Sequence, residues 1–410
     1  MINRTISTII KEALKVSPVI VITGARQVGK STEVYKFVEY GFKYVSLDNI
    51  DERIAAQNDP KYFIERHGYP LIIDEVQYAP VLMEVIEEIV NTKRLKQEND
   101  KGLFILTGSQ TFKLMKNVTQ SMAGRASVFY MEPLSIKELY NKKEKPFLPN
   151  KNLINIENDY ALNTKDLFKQ IIKGFYPEVC SNEDLTSEMF YTRYVATYLD
   201  RDINDILEVK DKNKFHSFMQ ILASLTAQQL NSSTISKAVG VSVVTINEWL
   251  SVLEASGIIY FMQSYQDTSI TKRVSKAPKV YFSDTGLAAF LARINDAETL
   301  EASIFAGAFM ETFVMNEIRK SYINNGKNFN GNFYRDNHQN EIDLVLLENA
   351  TLHFVEIKKG SSFSLNDVKG FKQLENSIYK TGFSCILCNT QKNYALNSNI
   401  HVLSVSVIGD

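Results

Sequence analysis

Apolar residues follow two rhythms along this chain. In the N-terminal part they form short unbroken runs: Val19–Thr23, residues 71–73, and the core of GLFILTGSQ. Runs of this length without alternation suit strands buried on both faces. Helical stretches separate them, and strand–helix alternation predicts a parallel α/β sheet. A polar, proline-containing stretch, NKKEKPFLPNKN, then marks a change to helical spacing. A long apolar-periodic helix is expected over 215–229, then STISKAVG as a short helix closed by Gly240. A third helix is expected from 241 or 242 through Glu254, ended by Gly257 before the strand IIYFMQSY. With KVYFSD as a second wing strand, that order predicts a helix-turn-helix with a wing. Farther on, IFAGAFMETFVMNEI reads as a helix, and EIDLVLLENATLHFVEIKKG as two apolar strands interrupted by charges.

Composition narrows the function classes. The 410 residues are 44% hydrophobic and 23% charged, as in a globular chain long enough for two or three domains. A net charge of −1 leaves nucleic-acid or membrane attraction to local patches. No apolar run approaches a bilayer span, and MINRTISTII lacks the apolar core of a signal peptide, so the expectation is cytoplasmic, with no membrane partner. Of three cysteines, Cys385 and Cys388 lie in FSCILCN, which reads as a strand, so they point to opposite faces as buried thiols.

The chemistry begins after the first strand. Gly24-Ala25-Arg26-Gln27-Val28-Gly29-Lys30-Ser31 fits G-x-x-x-x-G-K-[ST], with a strand before it and a helix after it, and these residues with Thr32 and Asp74 are the candidate nucleotide-binding set. The glycines let the backbone wrap phosphates, Lys30 reaches the β- and γ-phosphates, and the Ser31 hydroxyl ligates Mg²⁺. The second strand ends in Asp74 and Glu75, where parallel sheets bind ligands. Asp74 is expected to hold Mg²⁺ through water and Glu75 to polarise the attacking water. The third strand offers Thr107 and Ser109 as γ-phosphate sensors, with Ser109 preferred. Arg125, just after a glycine, reads either as an arginine donated to a γ-phosphate, often a neighbour's, or as one arm of a surface ion pair.

The helix SVVTINEWLSVLE carries no Lys or Arg, has Glu248 and Glu254, and offers only Asn247 to base edges, so sequence-specific readout is not expected. Trp249 reads as core. Lys272, Arg273, Lys276 and Lys279 cluster in the expected wing, either as nonspecific contacts to DNA or RNA phosphates or as a solvated loop beside a packing module.

The charged strands make a sharper case. A hairpin centred on Asn349-Ala350 pairs residues 341–347 with 352–358, setting Asp343 opposite Glu356 and Glu341 opposite Lys358. Two opposed carboxylates between apolar faces repel unless a cation stands between them, and Mg²⁺ or Mn²⁺ suits carboxylate oxygens. Lys358 is then placed to orient or deprotonate a water for phosphodiester attack. Glu311, on an apolar helix face beside Gly307, Ala308, Val314 and Met315, is a further candidate ligand. The competing reading is a Glu341–Lys358 ion pair with incidental acids.

Asp343 followed by Glu356-Ile357-Lys358 resembles the D…(D/E)-x-K signature of restriction-endonuclease-like folds. With TGARQVGKS, LIIDEVQ, LTGSQ, AGR, EPLS, GFYPE, KVYFSDTGL, GAFMETFV, NEIDLVL and FVEIKKG, the whole chain resembles a family of bacterial and archaeal ATP-binding proteins. These have an AAA-type N-terminal domain and a C-terminal domain of unknown function; Ser31 stands where Thr is commoner. The resemblance implies ATP binding, an attached winged helix and a nuclease-like terminal domain. The expected fold class is α/β: a P-loop NTPase sheet over 1–145, a helical winged-helix domain over 155–292, and an α/β restriction-endonuclease-like domain over 300–410. The expected function is ATP hydrolysis that gates or positions the nuclease-like domain, in a possible homo-oligomer. The alternative is a nucleotide-switched scaffold whose terminal domain is catalytically silent.

Overall fold

A computed structural model describes residues 2–108, 122–157, 162–199, 211–266 and 277–410. The chain divides into two compact units. One comprises Met1–Leu134 with the short segments Ala255–Gly257 and Ile323–Lys327; the other holds the remaining residues through Asp410.

In the first unit, β1 (Val19–Thr23), β2 (Lys43–Ser46), β3 (Leu71–Asp74), β4 (Phe104–Gly108) and β5 (Ala126–Tyr130) form one sheet of order β2-β3-β4-β1-β5. Every pairing is parallel, as strand–helix alternation requires. The runs VIVIT, LIID and FILTG are buried along their whole length, which explains their lack of alternation. Val19, Val21, Leu71, Ile73, Phe104 and Leu106 pack with Phe63, Leu82 and Ile86 in one apolar cluster. Because the strands run parallel, all their carboxyl ends lie at one edge, which gathers the ends of β1, β3 and β4.

The second unit contains the helices Lys212–Ser224, Ser232–Val239 and Val243–Ala255 and a three-stranded antiparallel sheet. Its strands are β6 (Gln228–Gln229), β7 (Ile259–Met262) and β8 (Lys279–Phe282), in the order β6-β8-β7. The first helix stops at Ser224 instead of reaching residue 229. Ala227 takes a positive φ of 62°, and Gln228 and Gln229 pair with Val280 and Lys279. Trp249 is buried against Phe215 and Phe218.

A mixed sheet completes this unit, built from β9 (Asn332–Arg335), β10 (Glu341–Glu348), β11 (Thr351–Ile357), β12 (Lys380–Thr381), β13 (Ser384–Cys388), β14 (Tyr394–Ala395) and β15 (Ile400–Ser404). Its order is β14-β15-β13-β11-β10-β9, with β12 beside β11. The β10–β11 hairpin pairs Leu344 with Val355, Val345 with Phe354 and Leu347 with Leu352, the register expected from a turn at Asn349-Ala350. Both turn residues have positive φ, 48° and 57°, the geometry whose twist matches that of the strands. Among the described residues no single helix is long and apolar enough to cross a membrane.

Candidate functional site

The loop after β1 is held open by backbone geometry. Gly24 has φ 144°, and a Cβ there would collide with the Met131 carbonyl oxygen; Gly29 has φ 94° and opens the helix Lys30–Tyr35. Lys30 is buried, and its ammonium donates to the loop's own carbonyls, Gly24 O at 3.0 Å and Ala25 O at 2.7 Å. Ser31 Oγ donates to Asp74 Oδ1 at 3.1 Å. Thr107 Oγ1 donates to the same carboxylate oxygen, while Tyr44 OH donates to Asp74 Oδ2 at 2.8 Å. Burial, and then the Asp74 carboxylate, hold the Tyr44 phenol well above its ordinary pKa. The strands on either side of β3, β2 and β4, and the helix Lys30–Tyr35 thus supply the groups that fix Asp74.

Glu75 follows in a left-handed conformation, φ 55°, which costs a non-glycine residue about 1–2 kcal/mol. Its N–H donates to Thr107 Oγ1 at 3.3 Å, and its carboxylate accepts from the Gln77 amide. Thr107 therefore fixes the Glu75 backbone and Gln77 its carboxylate. Burial raises the Asp48 pKa, and the negative charges of Glu75 and Asp74 add to the effect. Tyr44 and Asp48 were not singled out from the sequence; Tyr44 lies in a short strand, KYVS, that pairs with β3, and Asp48 follows it by two residues. Thr107, weighed second to Ser109, is the residue seen at the site. Ser109 lies outside the described residues.

Arg125 is elsewhere. It precedes β5, and its carbonyl accepts from the N–H of Val19, at the start of β1, whereas the phosphate-binding loop follows the end of β1. Its guanidinium donates to Asn91 Oδ1 at 2.9 Å and pairs with Glu87 Oε1 at 3.1 Å. Five strand residues, roughly 16 Å, separate it from the loop of its own chain. In this chain Arg125 forms the ion pair that was one of its two expected roles, with Glu87, and a hydrogen bond with Asn91.

In the second unit, Glu311 comes from the helix Ala306–Ile323, Glu341 and Asp343 from β10, Glu356 from β11, and Lys358 follows β11. They do converge, but around a cation not expected there. Lys279 opens β8, is 3% exposed, and sets its ammonium 2.8 Å from Glu311 Oε1, 2.6 Å from Glu341 Oε1 and 3.8 Å from Asp343 Oδ1. Tyr281, two residues along and so on the same face of β8, donates to Glu311 Oε1 at 2.6 Å. The assignment of Lys279 to a solvated basic wing is corrected. Pairing with β6 and β7 turns it inward, where burial opposes its charge and Glu311, Asp343 and Glu341 outweigh burial, raising its pKa. Lys272, Arg273 and Lys276 lie outside the described residues.

Two cross-strand pairs also differ. The ladder between β10 and β11 ends at Leu344–Val355; beyond it the Ile357 N–H donates to Asp343 Oδ2 at 2.7 Å. Glu341 pairs with Arg335 of β9 instead of Lys358, and a register shift lies between Ile342 and Val345. That irregularity lets Ile342 join Val345, Leu352 and Phe354 in one apolar cluster, though strict alternation sets it on the opposite face. Lys358 turns to Glu356 Oε1 at 2.6 Å, and Glu356 Oε2 is buried with no hydrogen-bond partner. Burial first, and then the Asp343 charge, push the Glu356 carboxyl up to about 8; burial likewise pushes Glu311 up to about 7, against the pull of Lys279. Among the described residues no three His, Cys, Asp or Glu side chains are gathered closely enough to hold a metal ion as they stand. The acids offer hard oxygens of the kind that suit a divalent cation; Glu356 Oε2 is orphaned, while Glu311 Oε1 and Glu341 Oε1 are taken by the Lys279 ammonium.

Comparison with known proteins agrees with the first unit. Residues 16–140 match the family model described as an AAA domain. Residues 164–298 and 306–408 each match a domain of unknown function, DUF8612 and DUF4143. Uncharacterized proteins of Mycobacterium tuberculosis and Mycobacterium bovis are each 23% identical over 361 residues, covering 87% of this chain and 74% of theirs. A solved structure of a Walker-type ATPase of Pyrococcus abyssi has TM-score 0.41 and 14% identity, covering 70% of this chain and 94% of that one. AMPPCP-bound DnaA of Aquifex aeolicus has TM-score 0.25 and 19% identity, covering 60% and 86%. The N-terminal region is an AAA-type P-loop domain.

Proposed function

We propose that this protein binds and hydrolyses ATP, and uses the cycle to gate or position a nuclease-like C-terminal domain in nucleic-acid processing. The observation that carries the ATPase reading is the meeting of Lys30, Ser31, Asp74, Glu75 and Thr107 at the carboxyl ends of β1, β3 and β4. On phosphate binding, the Lys30 ammonium exchanges the Gly24 and Ala25 carbonyls for phosphate oxygens, and the backbone N–H groups of the loop donate to the same anion. Ser31 and Asp74, already in contact, would hold Mg²⁺, which supplies charge neutralisation on the phosphates. Glu75, oriented by Gln77 and Thr107, accepts a proton from the attacking water. Steady-state release of phosphate from ATP, measured on the wild type and on Glu75→Gln, tests the assignment.

The order of helices and strands from Lys212 to Phe282 supports a winged-helix reading for the middle region. Asn247 is engaged by Ser232 Oγ at 2.8 Å, and the helix around it has no cation, which favours a packing or protein-contact role over base readout. The cluster of Glu311, Asp343 and Glu356 is read as a site for Mg²⁺ or Mn²⁺, with Lys358 beside it to orient a water. The buried, unpartnered Glu356 Oε2 supports that reading. A silent scaffold is the second reading, favoured by the lysine already seated among the acids.

A further inference from the structure

Lys279 is an uncommon residue to bury at the start of a strand. Removing an ammonium from water costs several kcal/mol, and the cost is met only where opposite charges surround it. Here Glu311 of the helix Ala306–Ile323 and Glu341 and Asp343 of β10 do so. The strand that delivers Lys279 also delivers Tyr281, which holds the same Glu311 oxygen, so β8 as a whole is keyed to that carboxylate. Glu341 is also approached by Arg335, at 3.6 Å, and Glu356 by Lys358. Of these three cations, Lys279 is the one whose ammonium lies against Glu311 and Asp343, both candidate metal ligands.

We propose that Lys279 is a built-in counter-cation that keeps the carboxylate cluster closed to divalent metal: Mg²⁺ or Mn²⁺ and the Lys279 ammonium are alternative occupants of the oxygens of Glu311 and Asp343. The inference rests on reading those acids as a metal site. Metal binding then requires the ammonium to leave both oxygens, and any partner or state that draws β8 away opens the site. Lys279 is a positioning residue for the cluster, acting on the metal through the acids it occupies.

The test uses the full chain without nucleotide, so that the P-loop has no phosphate to recruit metal. Free Mn²⁺ is followed by its paramagnetic resonance signal, and the melting temperature is read in parallel. Lys279→Met leaves three acids without their shared cation and is expected to lower the melting temperature. Lys279→Met combined with Glu341→Gln removes a charge pair together and spares Glu311, Asp343 and Glu356. With the ammonium gone from the oxygens of Glu311 and Asp343 and its partner charge gone with it, Mn²⁺ binding should tighten at least about tenfold in the double variant, and Mn²⁺ should raise its melting temperature more than the wild type's. Adding Asp343→Asn should abolish both gains, and Lys279→Arg, which keeps the charge, should bind as weakly as the wild type. If wild type and double variant bind Mn²⁺ equally, and Asp343→Asn removes it from both, the metal reading stands and Lys279 is no barrier. If neither binds Mn²⁺ at millimolar concentration, the metal reading and this inference fall together.

Discussion

Lys30 and Glu75 divide the work of the nucleotide site, and substitution separates their contributions. Lys30→Ala removes the only lysine of the loop, so binding of a fluorescent ATP analogue should vanish. Glu75→Gln keeps shape and hydrogen bonding but cannot take a proton. It should bind ATP like the wild type and turn it over about 10²–10⁴-fold more slowly; wild-type turnover would move the base elsewhere. The loop residues were legible because the phosphate cradle is contiguous in sequence, so its spacing carries its meaning. Tyr44 and Thr107 were harder to read, since they reach Asp74 only through the pairing of parallel strands far apart in the chain. Lys279 was misread for a related reason. It closes a basic stretch, TKRVSKAPK, that looks solvated, and only its pairing on both sides reveals that it faces inward.

At the scale of elements, turn chemistry fixed what periodicity left open. The Asn349-Ala350 turn sets every described pair of the β10–β11 hairpin, whereas the irregularity at Ile342–Val345 depends on the third strand, β9, and has no local signature. The same contrast appears in the stretch KVYFSDTGL. Asp284 follows β8 and caps the helix Thr285–Leu291 through the Leu287 N–H, at 2.8 Å. It also accepts from the Phe175 N–H at 2.7 Å and the Tyr191 hydroxyl at 2.6 Å. Three buried donors converge on one carboxylate, so Asp284→Ala should cost about 3–5 kcal/mol, measured by urea unfolding of the full chain. Gly174 sits against the same group with φ 75°, and a Cβ there would strike the Tyr191 hydroxyl. Gly174→Ala should therefore destabilise to a similar degree, about 3 kcal/mol. An Asp284→Ala protein as stable as the wild type would show that this junction is not a structural hub.

At the scale of the whole molecule, Arg125 turns a local observation into a question of assembly. It stands at the amino ends of β1 and β5, away from the phosphate-binding loop that follows β1, which makes a contribution to a second copy the arrangement to test. Arg125→Ala should spare ATP binding and reduce turnover, and mixing it with the Lys30→Ala protein should restore part of the activity. Absence of rescue in mixtures that demonstrably exchange subunits would leave Arg125 as a partner of Glu87 and Asn91 only. Assembly is the level least legible in one chain, because the complementary surface is spelled out in residues that carry no motif. The mixed sheet, finally, contains its own clock. Cys385 and Cys388 are fully buried on β13, and burial drives both thiols up, Cys388 to about 12. Only the thiolate reacts with disulfide reagents, so modification must wait for the strand to open. On that strand Ile386 pairs with Glu356 of β11, one step from the carboxylates that Lys279 neutralises. In a Cys180→Ser background the rate of thiol labelling therefore times the opening of the sheet beside that cluster: loss of Lys279 should quicken it, and a bound divalent cation should slow it.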